Sequence, residues 1–191
     1  MTHVSIIGTG NMGQAISSIV AKGGSTVELV GQSDTDKQVS GDIVVLAVPY
    51  PALAQVLAQR GEQLAGKVVV DITNPLNFQT FDSLVVAADG SAAAEIAAAL
   101  PQSRVLKAFN TTFAGTLAAG TVGGLPTTVL IAGDDADAKS LLAGVLTAGG
   151  LRAIDAGSLS RARELEALGF LQLTLAATEK ISWAGGFAVA A

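Results

Sequence analysis

The segment Gly8-Thr9-Gly10-Asn11-Met12-Gly13 restricts what this chain can fold into more than any other feature. The apolar residues Val4, Ile6 and Ile7 lead straight into it. Ala15, Ile16, Ile19 and Val20 then recur at helical spacing as far as Gly23-Gly24. A bare G-x-G-x-x-G string is weak evidence, because glycines cluster in many loops. Set between a strand and a helix, it is the fingerprint of a dinucleotide-binding fold. Gly8 then permits the tight turn, Gly10 lets the backbone approach a pyrophosphate, and Gly13 lets helix and strand pack closely. Unpaired N–H groups and the positive dipole end of the helix complete the phosphate seat.

Val/Ile/Leu-rich runs at residues 3–7, 26–30, 43–48, 68–72, 105–108, 128–131 and 151–154 read as strands buried on both faces. Helical patterns at 11–22, 51–59, 91–100, 135–148 and 158–181 separate most of them. This alternation predicts a Rossmann-type α/β fold: a doubly wound, mainly parallel sheet with right-handed crossovers. A single NAD(P)-binding domain is expected over 1–191, ending in a C-terminal helical segment from about 158 to 191. One link is short. Only Gln32 to Ser40 separate Gly31 from Gly41, whereas a parallel crossover takes a dozen or more residues and includes a helix. A loop or single turn is expected there, with a thinner wall beside the adenine pocket. The glycine-rich stretch 119–125 reads as a plain connection.

Half of the chain is hydrophobic, yet no run reaches the roughly 18 uncharged apolar residues of a membrane span. The opening lacks the basic and apolar regions of a secretory signal, so a cytoplasmic protein is expected. The absence of Cys excludes disulfides, thiolate nucleophiles and Cys-metal sites, and no metal site is expected. A net charge of −5 argues against nucleic acid or an anionic membrane as partner. Phosphate recognition must therefore come from local geometry.

The second strand ends in Val30-Gly31-Gln32-Ser33, with no carboxylate before Asp34. A carboxylate at the strand end would hydrogen-bond the ribose 2′-OH of NAD and repel a 2′-phosphate, so its absence tilts the cofactor toward NADP (NADPH). Gln32 and Ser33 are placed to meet the phosphate, and Lys37 is the only nearby cation. The alternative puts Asp34 on the ribose, with NAD as cofactor.

Ligands of an open parallel sheet sit beyond the carboxyl ends of the strands. Three such ends, Ala47-Val48-Pro49-Tyr50, Thr73-Asn74-Pro75 and Phe109-Asn110-Thr111, converge on the nicotinamide half of the crevice. Val48 and Pro49 would floor the ring, while Thr73, Asn74 and Asn110 would hydrogen-bond the carboxamide or a substrate. Tyr50 either stacks on a ring or covers surface. His3 lies at the wrong sheet edge and reads as structural. Lys107 reads as an ion-pair or solvent-facing residue, although it could donate a proton. No Tyr-x-x-x-Lys or His–Asp pair is present. Hydride exchange between two stacked planar rings needs apposition and exclusion of water, and little proton transfer from the protein. The apolar surface of Leu168, Leu171, Leu173, Leu175 and Ala176 is broader than one packed stripe, which suits packing under the sheet or a homodimer.

With these residues in place, the chain resembles the coenzyme F-420-dependent NADP oxidoreductases. The similarity runs over nearly the whole length. It is carried by the glycine motif, by Val45-Leu46-Ala47-Val48-Pro49, by Asp71-Ile72-Thr73-Asn74-Pro75-Leu76 and by Lys107-Ala108-Phe109-Asn110-Thr111. Ala132-Gly133-Asp134-Asp135, Asp155-Ala156-Gly157-Ser158-Leu159 and Ala162-Arg163-Glu164-Leu165-Glu166 extend it. The resemblance implies a fold that binds NADPH and passes hydride to or from a second flat redox partner, a deazaflavin or flavin. It implies dinucleotide contacts from Thr9, Gly10, Asn11, Met12, Ser33, Val48 and Pro49. Two departures stand out: the short 31–41 link, and the lack of an Arg after the second strand where the family meets the 2′-phosphate with basic residues. A non-catalytic NADP(H) sensor is compatible with the same sparse site. An imine reductase similar to pyrroline-carboxylate reductase shares the opening motif but carries a further helical domain.

Overall fold

A computed structural model describes residues 1–190. Five parallel strands, β1 (His3–Ile7), β2 (Thr26–Val30), β3 (Ile43–Leu46), β4 (Val68–Asp71) and β5 (Arg104–Lys107), form most of one sheet. Their side chains alternate between two faces. Ile6, Val45, Val70 and Leu106 pack beneath α1 (Asn11–Lys22), α4 (Ala114–Ala119) and α5 (Ala136–Ala148). Ile7, Leu46, Val69 and Val105 pack beneath α2 (Leu53–Arg60) and α3 (Ala92–Ala99), and α6 (Ala162–Ala177) lies beside α3. The result is the three-layer α/β/α arrangement expected from the alternation of apolar runs.

Several helix boundaries fall where side chains satisfy the first turn. Ser91 and Asp135, read from the sequence as helical, are instead the N-caps of α3 and α5. They accept from Ala94 N–H at 3.1 Å and from Ala138 N–H at 2.7 Å. The helix expected over 51–59 opens as a 3₁₀ turn, Tyr50–Ala52, with Pro51 inside its first turn. The stretch expected to be helical over 158–181 starts with a 3₁₀ turn at Leu159–Arg161 and ends at Ala177. The chain then folds back: Trp183 packs on Phe113 with ring centroids 5.1 Å apart, and Arg152 donates to the Val189 carbonyl at 3.3 Å. The last residue of the expected helical segment, at 191, lies outside the described residues.

The far edge departs from the parallel rule. After α4 comes a hairpin, β6 (Thr121–Val122) and β7 (Leu125–Pro126), whose turn residues Gly123 and Gly124 have φ of 56° and 83°. Positive φ at both central positions is the requirement of a type I′ turn, so the stretch read as a plain connection is a built hairpin. Next come β8 (Thr128–Gly133) and β9 (Arg152–Gly157), which complete the order β2-β1-β3-β4-β5-β8-β9. β8 runs antiparallel to β5, pairing Leu106 with Gly133 and Lys107 with Ala132. The reason is length: α4, at 6 residues, spans about 9 Å and cannot carry the chain back to the opposite sheet edge.

The sheet order reverses between β1 and β3, and the crevice opens at that switch point. The link from β2 to β3 contains no helix, as its length predicted. A short turn forms instead, with Asp34 N–H bonded to the Gly31 carbonyl and Lys37 N–H to the Asp34 carbonyl. Arg60, at the end of α2, braces this link from behind by donating to the Asp34 and Lys37 carbonyls. Val39 inserts into the α2/α3 face of the core, and its N–H donates to the Gln63 side chain at 3.0 Å.

Candidate active site

The glycine loop is built by two close approaches and one open space. A Cβ on Gly8, at φ +122°, would lie 2.1 Å from the Ala47 carbonyl oxygen, and one on Gly13 would lie 2.2 Å from the Gly8 carbonyl oxygen. Both positions exclude any side chain. Gly10 differs: its φ is −72° and a Cβ there would meet nothing within 4 Å. Neither packing nor backbone conformation requires glycine at that position. The space in front of it is open. Gly10 also leaves α1 without a side-chain cap, and no acidic residue occupies the first turn. The first intrahelical bond runs from Gln14 N–H to the Gly10 carbonyl, so the N–H groups of Asn11, Met12 and Gly13 face outward unpaired. Such an arrangement can seat an anion. Thr9 and Asn11 stand exposed on its rim, while Met12 packs partly against the core.

The tip of β2 borders the same seat. Gly8 N–H donates to the Val30 carbonyl at 2.9 Å, and a Cβ on Gly31 would lie 3.6 Å from Thr9 Cγ2. Gln32 and Ser33 are exposed here. The Asp34 carboxylate turns back to accept from Gly31 N–H at 2.8 Å. Lys37 does not stand free as a phosphate ligand: its ammonium donates to the Leu29 carbonyl at 2.7 Å and lies 3.8 Å from Glu28. Burial alone would raise the Glu28 carboxyl. Hydrogen bonds from Ser5 and Ser40, with the Lys37 charge, outweigh it and hold the group below its ordinary value. His3 sits 4.0 Å from Glu28 at the N-terminal end of β1, away from the strand tips, as the sequence reading expects.

At the reacting end the tip of β3 is fixed by Ala47 N–H donating to the Ile7 carbonyl at 2.8 Å. Val48 is half-buried and Pro49 exposed beside it. The Tyr50 hydroxyl is tied to Glu95 of α3 at 2.7 Å. Partial burial and that carboxylate push its phenol up to about 12, so it stays protonated and serves as a tether.

The tips of β4 and β5 carry the most unexpected chemistry. Lys107 is fully buried, which overturns the solvent-facing alternative, and three acceptors surround its ammonium. They are Asp71 at 2.7 Å, the Thr73 carbonyl at 2.7 Å and Glu166 of α6 at 2.8 Å. Glu166 also accepts from Ala92 N–H at 3.0 Å at the start of α3. Two strands and two helices thus meet on one ammonium. Burial pushes the Glu166 carboxyl up, against the pull of Lys107.

Beyond this cluster Phe109 is buried in the left-handed region at φ 63°, and Asn110 N–H closes a three-residue turn on the Ala108 carbonyl at 2.8 Å. Such a turn is strained for a bulky residue. It aims the Asn110 amide at Asn74 Oδ1 (3.0 Å) and at the Leu165 carbonyl of α6 (2.8 Å). Asn74 in turn donates to the Asn110 carbonyl at 2.9 Å. The two asparagines expected to meet a ligand therefore mainly hold each other and α6. A Cβ on Gly169 would lie 2.3 Å from Asn74 Oδ1, so only glycine lets α6 rest on this pair. Thr73 Oγ1 and Asn110 Oδ1 are buried without a hydrogen-bond partner among the described residues, and Pro75 is buried beside Thr73.

The sequence-predicted residues therefore divide into an open rim (Thr9, Gly10, Asn11, Gln32, Ser33, Pro49) and a buried floor (Thr73, Pro75, Asn110). Arg60 and Gly169 escaped sequence reasoning, and Glu166 entered it only as part of the family pattern, without a role. A signal for the last two exists: Leu165, Glu166, Gly169, Gln172 and Ala176 share the buried face of α6, while Leu168, Leu171, Leu173 and Leu175 lie off it. Attention to leucines points to the wrong face.

Comparison with known proteins places these features in company. A family model described as "NADP oxidoreductase coenzyme F420-dependent" matches residues 30–75. The F420-dependent NADP reductase of Methanocaldococcus jannaschii is 30% identical, over 78% of this chain and 69% of that one. The enzyme of the same name from Methanothermobacter marburgensis is 30% identical over 93% of both chains. A crystal structure from Arthrobacter sp. FB24, provisionally assigned as an F420-dependent NADP reductase, superposes over 100% of both chains with a TM-score of 0.86 and 25% identity.

Proposed function

Since the chain belongs to the family of coenzyme F420-dependent NADP reductases, we propose that it is an NADP(H)-dependent oxidoreductase whose second substrate is a planar redox molecule of the deazaflavin or flavin type. The observation that carries this reading is the open space at Gly10 in front of three unpaired N–H groups. It fits a pyrophosphate bridge, which the helix dipole favours further. Gly8, Thr9, Asn11, Met12 and Gly13 would hold the phosphates, Gln32 and Ser33 the adenosine end, and Ala47, Val48, Pro49 and Tyr50 the ring.

The bound dinucleotide supplies a nicotinamide that gives or takes a hydride. The protein's own contribution is placement. Val48 and Pro49 offer an apolar surface that keeps water from one side of the crevice. Tyr50, tied to Glu95, stiffens the wall beside them. The Asn74–Asn110 pair and the Lys107 cluster hold α6 against the β4 and β5 tips, where a second planar molecule would stack. Thr73 Oγ1 and Asn110 Oδ1 lie buried beneath that end without protein partners. We place the protein in the cytoplasm. The exposed Leu171, Trp183 and Phe187 support association of two copies through α6 and the segment after it.

A fluorescence titration with NADPH and NADH in parallel, followed by a panel of deazaflavin and flavin acceptors, tests the reading. Tight NADPH binding with turnover of one acceptor is the expected result. Tight binding without any turnover would convert the protein into an NADP(H) sensor, and absence of binding would remove the assignment of the glycine loop.

A further inference from the structure

The link after β2 carries a single cation, Lys37, whose ammonium faces the Leu29 carbonyl. A second cation reaches the same link from another element. Arg60 leaves the end of α2 with only 6% of its surface exposed. Its guanidinium donates to the Lys37 carbonyl at 2.7 Å and to the Asp34 carbonyl. Among the described residues no carboxylate lies within 4.0 Å of it. Buried charges are ordinarily paired, and this one has only neutral partners. Its charge is thus held by carbonyl dipoles and by no direct ion pair.

The direction of those partners matters. A trans peptide is planar, with its C=O and N–H pointing opposite ways. Because the Asp34 and Lys37 carbonyls point inward at Arg60, the N–H groups of Thr35 and Gln38 point away from it. The exposed Ser33 hydroxyl lies on the same turn, and Gly31 is adjacent to Thr9 of the phosphate seat. The link thus presents donors outward with a buried cation behind them.

We infer that Arg60 is a positioning residue that sets the preference for NADPH over NADH, acting through the 31–41 link without touching the cofactor. One residue then does two things: it holds in place a crossover too short for a helix, and it sets a buried cation behind that crossover. The inference rests on the NADP(H) reading above.

The test measures the dissociation constants of NADPH and NADH by cofactor fluorescence for the wild type, Arg60→Gln and Arg60→Lys, with melting temperatures recorded alongside. Arg60→Lys keeps a cation and one carbonyl contact, so it retains the fold if the glutamine variant does not. In Arg60→Gln the NADPH constant should rise about tenfold while that of NADH stays within about twofold, as expected for a desolvated charge acting on a 2′-phosphate several ångströms away. Arg60→Lys should fall between. A merely structural brace would weaken both cofactors equally, and that result, or an unchanged ratio in both variants, overturns the role of Arg60 alone. A wild type that binds NADH as tightly as NADPH overturns the NADP(H) reading and the inference with it.

Discussion

Replacing Lys107 by methionine removes the only cation from a cluster that is sealed from solvent. Lys107, Asp71 and Glu166 have side-chain exposures of 0%, 0% and 1%. The ammonium donates all three of its protons, two to carboxylates and one to the Thr73 carbonyl. Without it, Asp71 and Glu166 would face each other as two buried anions. Breaking one buried pair costs about 3–5 kcal/mol, and here a single change breaks two. Against a typical total stability of about 5–15 kcal/mol, Lys107→Met should leave the protein close to unfolding at neutral pH. The pH dependence carries a further signature. One of the two carboxyls would take up a proton to relieve the repulsion, so its folded-state pKa would rise above its unfolded value. Such a group stabilises below the unfolded pKa, and the contribution is lost as pH rises through the folded one. The variant should therefore recover more stability on going from mildly alkaline to mildly acidic buffer than the wild type, in which Lys107 opposes the rise at Glu166. Urea melts followed by far-ultraviolet circular dichroism measure this directly. A loss of under about 1 kcal/mol, the range of an exposed pair, or a loss independent of pH, would refute the account of the cluster.

Other positions separate packing from ligand contact. Gly13→Ala should destabilise the protein by about 1–3 kcal/mol, because its Cβ would lie 2.2 Å from the Gly8 carbonyl oxygen. Gly10→Ala should melt like the wild type yet bind NADPH at least about tenfold more weakly, about 1.4 kcal/mol, since its methyl enters the open space. Equal binding by Gly10→Ala would mean that nothing approaches that point. Gly169→Ala should force α6 off the Asn74–Asn110 pair, lowering the melting temperature by several degrees and slowing turnover more than it weakens NADPH binding. Glu28, held below 4.5 in the folded state, contributes stability present above that value and lost as pH falls through its lowered one. Glu28→Gln should accordingly flatten the acid limb of the stability curve, measured as melting temperature against pH.

β1, β3, β4 and β5 were legible because each buries a run of apolar residues, whereas β2, read as buried on both faces, is an edge strand buried only at Val30; α1 was readable to the residue between Gly10 and Gly23. The sense of β8 was not. It depends on α4 and the β6–β7 hairpin, whose short Ala/Gly-rich stretches have no hydrophobic period to read. The open rim of the site was equally legible, since glycine spacing reports backbone approach directly. The floor was only half so. Thr73, Asn74 and Asn110 were found from strand ends, but their engagement with α6 depends on Leu165 and Gly169, more than fifty residues away in sequence. Arg60 and Glu166 look like ordinary helix-surface charges. Nothing local distinguishes a charge that turns inward from one that turns to water.

The helix-free passage from β2 to β3 has a practical corollary. Between Gln32 and Ser40 only Val39 is buried, and the remaining side chains face solvent or lie near it. In most folds of this class, exchanging the crossover would mean transplanting a helix together with its share of the core. Here the passage can be treated as a cassette, replaceable with sequences from other dinucleotide enzymes provided that a valine-sized plug and two inward carbonyls are kept. A library confined to those few positions would test coenzyme choice while leaving the β4 and β5 tips untouched.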